Sequence, residues 1–201
     1  MALVNCNLAP FINSQFVVTG AWGEPRSGHI HAGIDLATLK GTPAVAQPVY
    51  SMSNGVVTRV DQSDTGTGYG AMCIIWNPIN FDLWLYGDLG DNSIPLSVGD
   101  FVVRGQQVGI EGNPAGTAST GLHVHLEKEN QSDGVFRFGY SNSIDPTTGT
   151  GILNEVYSTS GDIYIYNGTP TPPTPIETTK KKFKWVLYAN KLRNRSLKRY
   201  F

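Results

Sequence analysis

Apolar residues in this chain come in short bursts broken by turn formers, and no burst keeps a 3.6-residue period over a helical length. PVYSM and GVVTRVD flank Asn54-Gly55, a dipeptide suited to a type I′ turn, which predicts a hairpin there. AMCIIW and FDLWLYGDL follow, separated by the breaker Asn77-Pro78, and DFVVRGQQVGIEG and GLHVHLEKE continue in the same style. ILNEVYSTSGDIYIYN, after the Gly-rich TTGTG, predicts one or two more strands. The expected fold class is all-β with a mostly antiparallel sheet. Composition agrees: 23 glycines and 12 prolines against only 15% charged residues favour short strands and tight turns.

The pattern changes near the end. Residues 1–150 read as the principal domain and 151–168 as additional strands. Residues 169–179 (TPTPPTPIETT) form a Pro/Thr-rich extended linker, and 180–201 a basic tail with interleaved aromatics. Nine of the 15 Lys and Arg lie between Lys180 and Phe201, where there is no acid. Residues 1–179 keep six bases against all 16 acids, so an acidic body carries a cationic tail. Phe183, Leu187, Leu197 and Phe201 suggest a short helix in that tail. No apolar stretch approaches the eighteen or so residues of a membrane span. The opening MALVNCNLAPFINSQF has no basic region ahead of an apolar run, which predicts no secretory signal. Cys6 and Cys73 form no CxxC motif and read as two unpaired structural thiols, Cys73 within a buried strand.

Candidate chemistry is concentrated in four histidines arranged as two i, i+2 pairs: His29 with His31, and His123 with His125. A strand puts such pairs on one face, about 7 Å apart. Asp35 follows His31 by four, a separation of about 13 Å on an extended strand and too far to share one metal. A bend between them is therefore required, and Gly33 is its natural place. Imidazole and carboxylate suit Zn²⁺, and three protein ligands with one open position are the catalytic arrangement.

In order along residues 20–147, the chain resembles the lysostaphin-type peptidoglycan endopeptidases, peptidase family M23 with the LytM fold. HAGIDLATLKGTPAVA resembles the family's opening motif; GVV and GYGAMCIIW match its next strands. VGDFVVRGQQVGIEGNPAGTASTGLHVHLE follows its close, and Ile144-Asp145-Pro146 its end. The resemblance implies a sheet forming the floor of an open groove. It implies a zinc cofactor held by His31, Asp35 and His125, with His123 stabilising the oxyanion or handling a proton. The implied activity is hydrolysis of peptide cross-links in bacterial peptidoglycan. His29 has no role in the family pattern and reads as a surface or supporting histidine.

One position departs from the pattern. Where the family has Tyr-x-His-Leu, this chain reads Tyr86-Gly87-Asp88-Leu89. Asp88 is expected to serve as general base; it could also fail, because a carboxylate donates no hydrogen bond to an oxyanion, or close the site as a fourth ligand. Asp91 is a less suitable substitute, since YGDL keeps the frame. Tyr69 is a candidate to line the cleft; Trp22, Trp76, Trp84 and Tyr86 read as core or groove walls. The glycines from 99 to 121 are too irregular for a phosphate fingerprint, and neither Ser27 nor Ser119 sits in a nucleophile elbow.

The expected setting is a bacteriophage, with the protein in the virion tail or acting as a lysis enzyme at the cell wall. The basic tail would dock onto phage tail proteins or anionic wall polymers; no nucleic-acid-binding module is recognisable. The competing class is a catalytically impaired, M23-like structural component of a phage tail. A cupin-like metal site also uses HxH, but it would need more carboxylate or histidine ligands further on and gives no reason for the rest of the match.

Overall fold

The computed structural model describes residues 3–5, 9–39, 45–113, 121–147 and 162–167. The linker 169–179, the tail 180–201, Cys6 and Ser119 lie outside these. The described residues form thirteen strands and no helix: β1 (Leu3–Asn5), β2 (Gln15–Gly20), β3 (Pro25–Arg26), β4 (His29–Ile30), β5 (Ile34–Thr38), β6 (Pro48–Tyr50), β7 (Gly55–Asp61), β8 (Ala71–Trp76), β9 (Asp82–Leu89), β10 (Phe101–Val102), β11 (Gln107–Ile110), β12 (Val124–Asn130) and β13 (Ile163–Ile165). Nine build one sheet in the order β1-β13-β2-β5-β12-β9-β8-β7-β10; β11 with β6 and β3 with β4 form two-stranded ribbons. Among the described residues only the β1–β13 pairing is parallel. The fold is all-β and mostly antiparallel, as the burst pattern predicts.

The runs AMCIIW and LWLY are apolar at every position because their sheet is covered on both faces. On one face Phe16, Leu36, Cys73, Ile75, Trp84 and Tyr86 belong to the larger core. On the other, Met72, Ile74, Trp76, Leu83 and Leu85 pack beneath Tyr69, Phe136 and Phe138. Each such burial contributes about 1.5–3 kcal/mol. Cys73 is a buried free thiol, and burial pushes it up to about 12. The Asn77-Pro78 break becomes the β8–β9 turn, closed by Phe81 N–H donating to Asn77 O.

The hairpin expected at Asn54-Gly55 does not form. Strand β6 pairs with β11, whereas β7 pairs with β8 and β10. Neither residue takes the left-handed φ that a type I′ turn demands. Gly55 instead begins β7, where a Cβ would collide with Ile75 and the Trp76 backbone.

A bulge interrupts the β8–β9 ladder. Ala71 faces Leu89 and Cys73 faces Tyr86, so Gly87 and Asp88 together oppose Met72. Asp88 absorbs the extra residue with φ of 54°, in the left-handed region where Asp, Asn and His are enriched. Trp84, Tyr86 and Leu89 thereby all reach the larger core. The side chain at 88 is turned to the opposite face.

Candidate metal centre

Strand β12 lies between β5 and β9, and His125 is the residue where the three meet. It pairs with Asp35 on one side and with Gly87, the neighbour of Asp88, on the other. His123 enters just before the strand through a bridge to Gly112. His31 falls in the break between β4 and β5, where His31 N–H donates to Glu24 O and its carbonyl accepts from Gly23 N–H.

The expected bend at Gly33 is present, but the glycine serves space rather than φ. A Cβ there would come within 2.6 Å of both His125 Nε2 and Leu126 O. Gly20 is constrained likewise, since a Cβ would collide with the Arg26 guanidinium and the Asp35 carboxylate.

Three donor atoms converge. His31 Nε2 lies 3.1 Å from His125 Nδ1 and 3.2 Å from Asp35 Oδ1, and His125 Nδ1 lies 3.0 Å from the same oxygen. Zinc bonded at about 2.0–2.1 Å to nitrogen and oxygen separates tetrahedral ligands by about 3.3 Å, so the spacing fits the ion. The tautomers fit as well. His31 Nδ1–H donates to Ala21 O at 2.8 Å, which leaves the Nε2 lone pair facing inward. Two imidazole lone pairs and a carboxylate oxygen facing one point repel one another until a cation or proton is shared among them. His125 accordingly is pushed up to about 10: burial opposes its charge, and Asp35 and Glu127 outweigh burial. For Asp35, burial again opposes the charge, yet His125 and His31 hold its carboxyl well below the usual carboxylate range. Metal and proton compete for these lone pairs.

Two neighbours orient the set. Arg26 Nη2 reaches Asp35 Oδ2 at 3.1 Å and Glu24 Oε2 at 3.0 Å, leaving Asp35 Oδ1 for the centre. Tyr69 sets its ring edge-on to His125, with centroids 5.3 Å apart.

Asp88 and His123 are both buried beside this set. Ligand atoms of Asp35, Asp88 and His123 lie within 4.8 Å of one another. His123 Nδ1–H donates to Gly121 O at 3.0 Å, and Nε2 lies 3.0 Å from Asp88 Oδ2. Burial works against charge on His123, but the Asp88 carboxylate outweighs it and raises the imidazole's pKa, so both ring nitrogens act as donors. Asp88 Oδ1 is buried with no hydrogen-bond partner.

The structure thus brings His31, Asp35, His125, His123 and Asp88 into one cluster. His29 stays outside it: it is exposed, with Nδ1 3.3 Å from Ser27 O, whereas His31 is buried. Asp91 is exposed in the loop after β9. Sequence reasoning missed Glu127 and Arg26. Glu127 was legible as the next residue on the His123–His125 face; Arg26 had no signal, since its position depends on the β3–β4 ribbon.

Comparison with known proteins bears on the family and the fold. The model of the family described as peptidase family M23 matches residues 29–136. Two uncharacterized proteins, from Mycobacterium bovis and Mycobacterium tuberculosis, are each 26% identical over 155 residues, covering 77% of this chain and 33% of theirs. The chain therefore spans about a third of the length of these relatives. Among solved structures, the catalytic domain of a variant of the prophage-encoded M23 protein EnpA from Enterococcus faecalis is 29% identical, with a TM-score of 0.52 over 72% of this chain and 98% of that one. The catalytic domain of the antimicrobial peptidase lysostaphin from Staphylococcus simulans shares the fold at 23% identity and a TM-score of 0.52, over 66% and 90% of the two chains. With the family model spanning more than half of the sequence, the chain belongs to peptidase family M23, a family of zinc-dependent peptidases.

Proposed function

We propose that this protein is a zinc metallopeptidase that hydrolyses peptide cross-links in bacterial peptidoglycan. The observation that carries the reading is the convergence of His31 Nε2, Asp35 Oδ1 and His125 Nδ1 at 3.0–3.2 Å, with His123 and Asp88 beside them. When bound, zinc supplies a Lewis acid that polarises the scissile carbonyl and makes water acidic enough to attack at neutral pH. The chain's own residues do the rest. Asp88 Oδ1, without a partner, takes the proton of the attacking water. His123, held at Nδ1 by Gly121 O, turns its Nε2–H from Asp88 towards the developing oxyanion.

A second reading has its own observation. Asp88 Oδ2 already occupies His123 Nε2, so both nitrogens of that ring are engaged and the donor is withheld from substrate. On that reading the chain is a catalytically impaired structural component. Release of new amino groups from purified peptidoglycan by the zinc-loaded full chain separates the two. Release by the native sequence supports catalysis. Silence, with release by Asp88→His, supports the impaired reading. Silence from both, with zinc bound, overturns peptidoglycan hydrolysis.

We further propose a phage setting, in a virion tail or in lysis at the cell wall. Its support is the similarity to a prophage-encoded M23 protein over nearly the whole of that chain. The cationic segment 180–201 would dock on a phage tail protein or an anionic wall polymer. Mass spectrometry of washed particles tests this; absence from particles removes the tail assignment.

A further inference from the structure

We infer that Glu127 and Tyr69 are positioning residues that fix the tautomer and aim of His125; this rests on the metallopeptidase reading above. Along β12 the side chains of His125, Glu127 and Glu129 fall on one face, continued by His123 just before the strand. Glu127 is fully buried, and its Oε2 lies 3.6 Å from His125 Nε2. That nitrogen is itself buried and has no hydrogen-bond partner within reach. A buried imidazole N–H and a buried carboxylate facing each other across 3.6 Å are complementary, and a shift of a few tenths of an ångström joins them. The proton is then fixed on Nε2, and the Nδ1 lone pair is directed at Asp35 and His31. His31 gains the same result from a main-chain carbonyl, Ala21 O. For His125 the task falls to a side chain, and a carboxylate also raises the basicity of the ligand nitrogen.

Tyr69 makes the arrangement rigid. Its hydroxyl donates to Glu127 Oε2 at 3.0 Å, while its ring stands edge-on to His125. Its carbonyl accepts the Asp88 N–H at 2.7 Å. One residue of the loop before β8 is thus fastened to both halves of the site. A tyrosine that only lined a cleft would not need its hydroxyl on Glu127, and Glu127 placed only for packing would be better replaced by an apolar residue.

The test is zinc affinity of the full chain, measured by competition with a chromogenic chelator, for the native protein, Glu127→Gln, Tyr69→Phe and His125→Ala. Melting temperatures and the visible spectrum of the Co²⁺-substituted forms are recorded alongside. Glu127→Gln should weaken zinc binding about ten- to a hundredfold and shift the cobalt bands, and Tyr69→Phe should do so less strongly. Unchanged affinity and spectrum in a folded Glu127→Gln, with binding lost in His125→Ala, overturns the positioning role and leaves the metal reading intact. Unchanged affinity in His125→Ala overturns the metal reading itself. Should Glu127→Gln fail to fold, Tyr69→Phe decides: a native-like affinity and spectrum refute the proposal.

Discussion

The site contains two imidazole–carboxylate arrangements that share the same 3.0 Å contact and differ in how many imidazoles meet the carboxylate. His125 and Asp35 touch at 3.0 Å, as do His123 and Asp88. In the first, His31 is tied outward to Ala21 O, and His125 faces Glu127 with its far nitrogen, so lone pairs are left pointing at a common point. In the second, His123 is tied outward to Gly121 O and inward to Asp88 Oδ2, so both ring nitrogens are engaged and only Asp88 Oδ1 is left over. Distance alone does not distinguish a metal centre from an ion pair. The number of imidazoles that meet one carboxylate does: His31 and His125 at Asp35, His123 alone at Asp88.

Breaking the comparison on the first side should have the largest effect. His125→Ala or Asp35→Asn should abolish stoichiometric zinc binding and lower peptidoglycan hydrolysis at least about a thousandfold, roughly 4 kcal/mol of transition-state stabilisation. Metal analysis after dialysis, together with amino-group release, checks both. On the second side, Asp88→Asn should leave zinc binding within about threefold and reduce hydrolysis about a hundredfold, the scale of one lost proton-transfer group. Simultaneous loss of zinc would make Asp88 a ligand and merge the two arrangements.

Further along the same strand face, Glu129 tests whether acidity below the site is a general property of β12. Burial raises Glu129 to about 7, and Glu127 adds to the shift, while the Arg137 N–H opposes it. A raised folded pKa means that this carboxyl favours the fold below about 4.5 and loses that contribution as pH climbs through about 7. Glu129→Gln should therefore flatten the stability change over that window by about 2 kcal/mol, read from urea unfolding at a series of pH values. The smallest effect is expected from the backbone at 88: Asp88→Ala should cost about 1 kcal/mol more than Asp88→Gly, because a Cβ without a polar group disfavours the left-handed region.

Much of this was legible before the structure. Continuous apolar runs marked β8 and β9, and the i, i+2 histidines marked one face of β12. The four-residue gap from His31 to Asp35 forced a bend, and the bend lies at Gly33. Local propensity failed at Asn54-Gly55, where pairing of β6 with β11 outweighed the turn preference of the dipeptide. It was also silent on the reason for Gly33, because the neighbour that excludes a side chain there, His125, is ninety-two positions away. Arg26 was hidden for the same reason: its role depends on where a short ribbon folds over Asp35. Position 88 was conspicuous only as a departure from the family pattern.

At that position the main chain holds its shape by bonds the side chain does not make: Asp88 N–H to Tyr69 O, and Gly112 N–H to Asp88 O. The residue types that best tolerate such a twist include both histidine and aspartate. The sheet therefore treats position 88 as an interchangeable socket. Exchanging one of these side chains for the other there changes the group offered to the site without asking the backbone for a new shape.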